Sequence, residues 1–258
     1  MRILLTNDDG VLAPGLLAMY RQLCRLGDVT VAAPETAQSA AAHGITINAP
    51  LTASRVHVHH EFWAWSVAGR PADCVKLAVD QLIDPGAPGP DLVVSGINDG
   101  ANVSINVLYS GTVAAAAEGA LLGFPAVAVS LERGAELDFD WAARIARGLI
   151  EIVVADGLQS GHLLNINIPN LTEGKPRGVK VVPQAVQRMD DHYNVRPGPD
   201  GSTHYFLEGW FKEPDGKLEA DLSALRSRFV VVTPLHFDLT ARERLADLAK
   251  IDWGALAS

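Results

Sequence analysis

Short apolar runs that stop in polar residues recur along this 258-residue chain, and helical periodicity fills the gaps between them. The first run, residues 2–6, breaks at once into Asn7-Asp8-Asp9-Gly10. Residues 14–26 then carry apolar side chains at helical spacing, with Pro14 suited to a first turn and Gly27 to a stop. A second buried strand covers 29–33, a polar loop follows through Gln38, Ser39 and His43, and 45–47 resumes extended structure. Residues 56–58 and 63–67 alternate like a half-exposed hairpin, and 71–83 reads as a helix opened by Pro71. After a Pro/Gly-rich linker at 85–90, strand 92–94 again breaks into polar residues, 95–102. Helix 112–122, strand 125–129, helix 139–154 and strand 163–168 continue the alternation, and strand 230–232 and helix 240–250 close it. Such alternation implies an α/β fold with a doubly wound, mostly parallel sheet.

Between about 184 and 228 the pattern changes. Turn sequences such as 197–201 and 214–216 separate short aromatic strand-like pieces, which reads as hairpins leaving the main sheet. The expected organisation is a catalytic core of 1–184 completed by 229–258, with 185–228 as a β-hairpin extension and oligomerisation arm. Tyr193, Tyr205, Phe206, Trp210 and Phe211 are more aromatic surface than a lone hairpin buries.

Composition narrows the classes of partner. Thirty acidic against 21 basic residues leave a formal charge of −9, which repels polyanions and argues against duplex nucleic acid. Cys24 and Cys74 form neither a zinc pattern nor a disulfide framework. No apolar run reaches membrane-spanning length and the first residues enter a strand directly, so the expectation is a cytoplasmic protein without a membrane partner.

Adjacent carboxylates at a strand end repel each other unless something positive sits between them, and a divalent cation is the simplest answer. Asn, Asp and Gly also favour plain turns, so the quartet alone leaves both readings open. Two further strand ends resemble it: the loop carrying Ser39, and 95–102 with Asn98 and Asn102. In a doubly wound sheet the three can share one edge. Their carboxylate, hydroxyl and amide oxygens favour Mg²⁺ or Mn²⁺ over zinc. Ser110-Gly111-Thr112 opens the Ala-rich helix, where backbone N–H groups and hydroxyls can cradle a phosphate, or where Ser110 simply caps. Two competing sites lack their pattern. The turn 7–15 has no G-x-G-x-x-G, and Asn7 stands where an Asp-x-Asp-Gly phosphatase needs its nucleophile.

Residues 3–10, Ser39, Gly69-Arg70-Pro71-Ala72-Asp73-Cys74-Val75-Lys76, 95–102, Ser110-Gly111-Thr112-Val113 and Thr233-Pro234-Leu235 together resemble the survival-protein SurE family of nucleoside monophosphate phosphatases. The likeness covers nearly the whole chain and is weakest across 184–228. It implies a Rossmann-like core with metal ligands at Asp8, Asp9, Ser39 and Asn98, one divalent cation per subunit. It places Asn102, Ser110, Gly111 and Thr112 near the phosphate, and implies dimers or tetramers held by exchanged C-terminal segments. The function expected is a 5′-nucleotidase: phosphate release from nucleoside 5′- and also 3′-monophosphates by a metal-bound water that Asp8 holds or deprotonates. The alternatives are a non-catalytic nucleotide- or metal-binding module and a phosphatase acting mainly on short polyphosphate.

Two departures from the family pattern stand out: Arg70 where Thr is usual, and Ala42 where Gly is common. Of His57, His59 and His60, alternation puts only His57 and His59 on one strand face, which reads as solvated, and Asp190, Asp191, His192 and His204 read as surface. His43 is left between a substrate contact and a loop-bracing hydrogen bond.

Overall fold

The structure, a computed structural model, describes residues 1–83, 86, 88–172, 174–211 and 219–253, with backbone only at Trp210. The 85–90 linker lies partly, and the 214–216 turn wholly, outside the described residues.

The apolar runs form one nine-stranded sheet. Its strands are β1 (Arg2–Thr6), β2 (Asp28–Pro34), β3 (Ala53–Val58), β4 (Phe62–Val67), β5 (Leu92–Asp99), β6 (Ala126–Leu131), β7 (Leu163–Ile168), β8 (Val179–Val181) and β11 (Val230–Leu235). They lie in the order β3-β4-β2-β1-β5-β6-β7-β11-β8. From β4 to β7 every pairing is parallel; β3 and β11 join antiparallel at the two flanks, and β8 pairs parallel with β11. The chain steps from β1 to β2 on one side and later to β5 on the other, so the winding reverses at the β1/β5 seam. This is the Rossmann-like, doubly wound architecture.

Helices α1 (Pro14–Leu23) and α4 (Phe139–Ala155) pack together on one face, and α2 (Pro71–Leu77) and α3 (Gly111–Leu121) on the other. Strand alternation divides the core accordingly. Ile3, Leu5, Val94, Val127 and Ile166 point to the α1/α4 side, and Leu4, Val93, Ala126, Ala128 and Leu163 to the α2/α3 side. The composition of α3 sets how close it lies. Ala114 to Ala117 are small and buried, and a β-carbon on Gly119 would fall 2.8 Å from Val93 Cβ. Only small residues allow that approach, which brings the N-terminal end of α3 down beside β1.

Several local expectations change. Helix α1 ends at Leu23, and Gly27 is not its stop. A β-carbon there would lie 1.8 Å from the Met1 carbonyl oxygen, so Gly27 answers a close backbone approach at the sheet edge. Residues 45–47 are extended but pair with no strand. Strand β5 continues to Asp99, because its register with β6 shifts between Ser95 and Asn98 and then resumes.

The 184–228 stretch holds a two-stranded antiparallel hairpin, β9 (Met189–Pro197) and β10 (Thr203–Phe211), apart from the main sheet. It also holds a helix that the sequence reading left among the hairpins, α5 (Asp221–Arg226), whose Leu222 and Leu225 pack with Val103, Val182 and Val231. Helix α6 (Arg242–Leu248) follows β11 and buries none of its residues. Among the described residues, no helix is long and apolar enough to cross a membrane.

Candidate active site

Ligands of open α/β sheets bind outside the carboxyl ends of the strands where the winding reverses. Here that point is the β1/β5 seam. The ends of β2, β1 and β5 lie side by side, so the loop carrying Ser39, the Asp8/Asp9 turn and Asn98 leave one edge together. The Gln38 amide donates to the Asp8 carbonyl at 2.8 Å, which ties the Ser39 loop to the carboxylate turn.

Asp8 is buried, at 6% exposure, and Asp9 is half-buried. Burial pushes the Asp8 carboxyl up to about 6; the Thr112 hydroxyl, donating to Oδ1, opposes the rise, and the neighbouring Asp9 charge adds to it. Asp9 is raised as well, first by burial; the Asp99 amide donating to its Oδ2 at 3.1 Å and the Arg133 charge counter part of that. Asn98 Nδ2 donates to the Gly100 carbonyl at 2.7 Å, which leaves Oδ1 as the side-chain atom free to accept. Thr6 Oγ1, Asn7 Oδ1 and Ser95 Oγ at the same strand ends are buried without a partner among the described residues. This edge therefore collects oxygen atoms and uncompensated negative charge, the setting a hard divalent cation suits. Among the described residues, no group of three His, Cys, Asp or Glu side chains is arranged to hold a metal, so a cation here would need the amide and hydroxyl oxygens beside the two carboxylates.

Across from the carboxylates stands the N-terminus of α3. A β-carbon on Gly111 would lie 2.8 Å from Asp8 Cβ and 3.0 Å from Pro71 Cγ, so the absent side chain is what lets the helix start meet Asp8. Ser110 caps the helix, its hydroxyl accepting from the Val113 amide at 3.1 Å while its own proton stays available to a ligand. Thr112 differs: its hydroxyl proton is committed to Asp8. The two hydroxyls that the sequence pairs as phosphate contacts thus divide, Ser110 toward the helix mouth and Thr112 toward the carboxylate.

Asn102 is buried within a polar network of its own. Its Nδ2 donates to Ser130 Oγ at 2.8 Å, its amide to Asn167 Oδ1 at 2.7 Å, and its carbonyl accepts from Asn165 and Asn167 at 2.8 and 3.1 Å. Two residues on, the Ser104 amide donates to the buried Asp221 at 2.8 Å. Ser104 Oγ exchanges hydrogen bonds with the Gln187 backbone at 2.9 and 3.0 Å, and Gln184 Nε2 reaches the Ser104 carbonyl.

The Ser39 loop is braced elsewhere too. The Ala42 amide donates to the Tyr109 carbonyl at 3.0 Å, and His43 Nε2 lies 2.8 Å from Glu118 Oε2, a bond that braces the loop. Lys76 holds the other Glu118 oxygen at 2.9 Å. Burial pushes the Glu118 carboxyl up, but the bonds from His43 and Lys76 outweigh it and hold it below the usual value. Ala40 and Ala42 carry φ of 55° and 51°, the left-handed region where a β-carbon is strained. Ala42→Gly is therefore expected to raise stability by about 0.5–1 kcal/mol, net of the extra entropy glycine gives the unfolded chain. Urea unfolding measures it; an unchanged or lower midpoint would show that Ala42 carries no strain.

The family model described as "Survival protein SurE" matches residues 3–191. The chain belongs to the SurE family. A protein of Syntrophobacter fumaroxidans named "5'-nucleotidase SurE" is 45% identical over 250 residues, covering 97% of this chain and 99% of its own. Another so named, from Rhodopirellula baltica, is 47% identical over 255 residues and 98% of each chain. Among solved structures, the SurE protein from Aquifex aeolicus superposes with a TM-score of 0.81 at 33% identity, covering 96% of this chain and 98% of that one.

The sequence reading gave no part to Asp99, Glu118, Asn165, Asn167 or Asp221. Asp99 enters through its amide, beside the Arg133 ion pair at 2.9 Å. Glu118 carried a readable signal: one carboxylate in an otherwise apolar helix must find partners.

Proposed function

We propose that this chain is a divalent-metal-dependent phosphomonoesterase that releases phosphate from nucleoside 5′-monophosphates and also accepts 3′ esters. One observation carries the reading: a carboxylate pair, Asp8 buried and Asp9 half-buried, meets the mouth of a capped helix at the point where the sheet winding reverses. The relatives named 5′-nucleotidases support it over almost the full chain.

Asp8, Asp9, Asn98 and Ser39 are the residues that would hold Mg²⁺ or Mn²⁺. When bound, such a cation supplies Lewis acidity toward the phosphoryl oxygens and acidifies the attacking water. The chain's own part is placement. Ser110 and the first amides of α3 receive the phosphate, and Gly111 keeps that mouth open. Asp8, oriented by Thr112, holds the water and can accept its proton. Asn102, whose Nδ2 is engaged with Ser130 Oγ, would have to give up that bond to contact the phosphate. Asn7 offers no carboxylate for attack, so direct displacement by water fits better than an aspartyl intermediate. Purified protein with 5′- and 3′-monophosphates and Mg²⁺ or Mn²⁺ should liberate inorganic phosphate; no release from any of them would overturn the reading.

The hydroxyls separate by experiment. Ser110→Ala should lower kcat/KM about ten- to hundredfold, the scale of one hydrogen bond to a charged group, with metal affinity kept. Thr112→Val should weaken metal binding instead, because its bond goes to Asp8. Equal metal affinity in the two variants would contradict the division.

Assembly follows from what stays uncovered. Tyr193, Val195, Tyr205, Phe206 and Leu207 on the hairpin are 42–65% exposed, and Leu239, Leu245 and Trp253 in the C-terminal segment 53–83%. Both surfaces fit burial in identical chains, giving a closed dimer or tetramer. Light scattering should return at least a dimer, and less when the hairpin is cut back to a short turn. A monomer at micromolar concentration would rule this out.

A further inference from the structure

Beside the carboxylate turn, the ends of β2 and β4 enclose a second feature. The Glu35 amide donates to the Val67 carbonyl at 2.8 Å, and the space beyond is a cavity of about 300 Å³ lined by Glu35, Gln38, Gly69 and Arg70 among others. Its volume sits at the lower end for small-molecule sites. One wall includes Thr36, and a β-carbon on Gly10 of the carboxylate turn would lie 3.5 Å from the Thr36 backbone. The other begins one residue before Pro71, whose Cγ lies 3.0 Å from the β-position of Gly111 at the phosphate-binding helix mouth. Pro71 thus stands between this cavity and the helix mouth.

The charges are the informative part. Arg70 and Glu35 line the same cavity with opposite signs, yet no ion pair joins them, and neither forms one elsewhere among the described residues. The Arg70 amide is used by Asp73 and its guanidinium rests on Gly44, where a β-carbon would fall 1.9 Å from Nη1. Its donors are therefore placed but unspent. Arginine only donates and a carboxylate only accepts, so a group bridging the two must offer an acceptor to one and an N–H to the other.

We propose that this cavity is the base subsite, and that Arg70 and Glu35 select bases carrying a carbonyl beside a ring N–H. The proposal rests on the phosphomonoesterase reading above. Guanine, hypoxanthine and uracil present that pattern: the carbonyl accepts from Arg70, with the purine N7 as a second acceptor, and the adjacent N–H donates to Glu35. Adenine and cytosine present the reverse, an amino group toward the guanidinium and a bare ring nitrogen toward the carboxylate, and leave both charges unpaired.

Two comparisons hold base size constant: IMP against AMP, and UMP against CMP. The ratio of kcat/KM should favour the carbonyl base about tenfold in each pair, and Arg70→Met and Glu35→Gln should each bring both ratios toward one. Ratios near one in the wild-type protein, or ratios untouched by both substitutions, overturn the subsite while the phosphomonoesterase reading stands. Release from none of the four nucleotides overturns the reading beneath it and the subsite with it. Because Arg70 and Glu35 are both exposed, and each variant reports through a ratio within one preparation, partial loss of folded protein does not mimic either outcome.

Discussion

Asp8→Asn and Asp9→Asn should each lower turnover about a thousandfold, with the fold retained. Each change removes one negative charge from the edge that would hold the cation. A loss of ~4 kcal/mol of transition-state stabilisation corresponds to that rate. For Asp8 the Thr112 hydroxyl can still donate to an amide oxygen, so the local geometry survives. Stability should move oppositely to activity in the metal-free protein. Asp8 is raised to about 6, so between the ordinary carboxylate value and pH 6 the folded chain holds a proton the unfolded chain has released. Folding therefore weakens as pH climbs through that window, and above it the buried charge burdens the native state in full. The asparagine variant escapes this. It should unfold at higher denaturant than the wild type at pH 8, with the gap closing toward pH 4. Wild-type rates under limiting metal, or a gap that widens on acidification, would refute the assignment.

Removing divalent cations should abolish phosphate release, and Mg²⁺ or Mn²⁺ should restore it. The carboxylate pair, the free oxygen of Asn98 and the absence of an Asp8 ion pair among the described residues leave the negative charge of that edge without compensation. The same removal should lower the unfolding temperature at pH 8, since a cation that binds only the folded chain stabilises it by mass action. A chelated protein that keeps full activity defeats the metal reading. One that loses activity but shows no thermal shift on adding metal places the cation with the substrate instead of on Asp8 and Asp9.

The alternation of apolar runs was enough to read the layered fold, because a buried parallel strand and an amphipathic helix leave different periods in the sequence. It also read the three polar strand ends, whose side-by-side placement depends only on winding order. What it missed depended on approach and partnership. Gly27 looks like a helix stop by composition; only the Met1 carbonyl pressing on it explains it. Helix α5 hid inside a turn-rich stretch, since its few apolar residues become meaningful only against Val103, Val182 and Val231. Thr112 and Ser110 are alike as sequence, and a neighbour 104 positions away separates them. Asn165 and Asn167 did leave a period-two mark on the inner face of β7, but nothing local says that the Asn102 loop rests on them.

The Ser104 junction bears on how such proteins diverge. Asp221 also accepts from the Ala185 amide, so one buried carboxylate and one serine fasten the base of the hairpin to the loop that carries Asn98 and Asn102. The hairpin beyond Met189 takes no part in that fastening, whereas 184–187 are tied to the segment that carries Asn102. An engineer transplanting an arm between relatives should cut outside that fastening; a graft that crosses it also disturbs the support of Asn102.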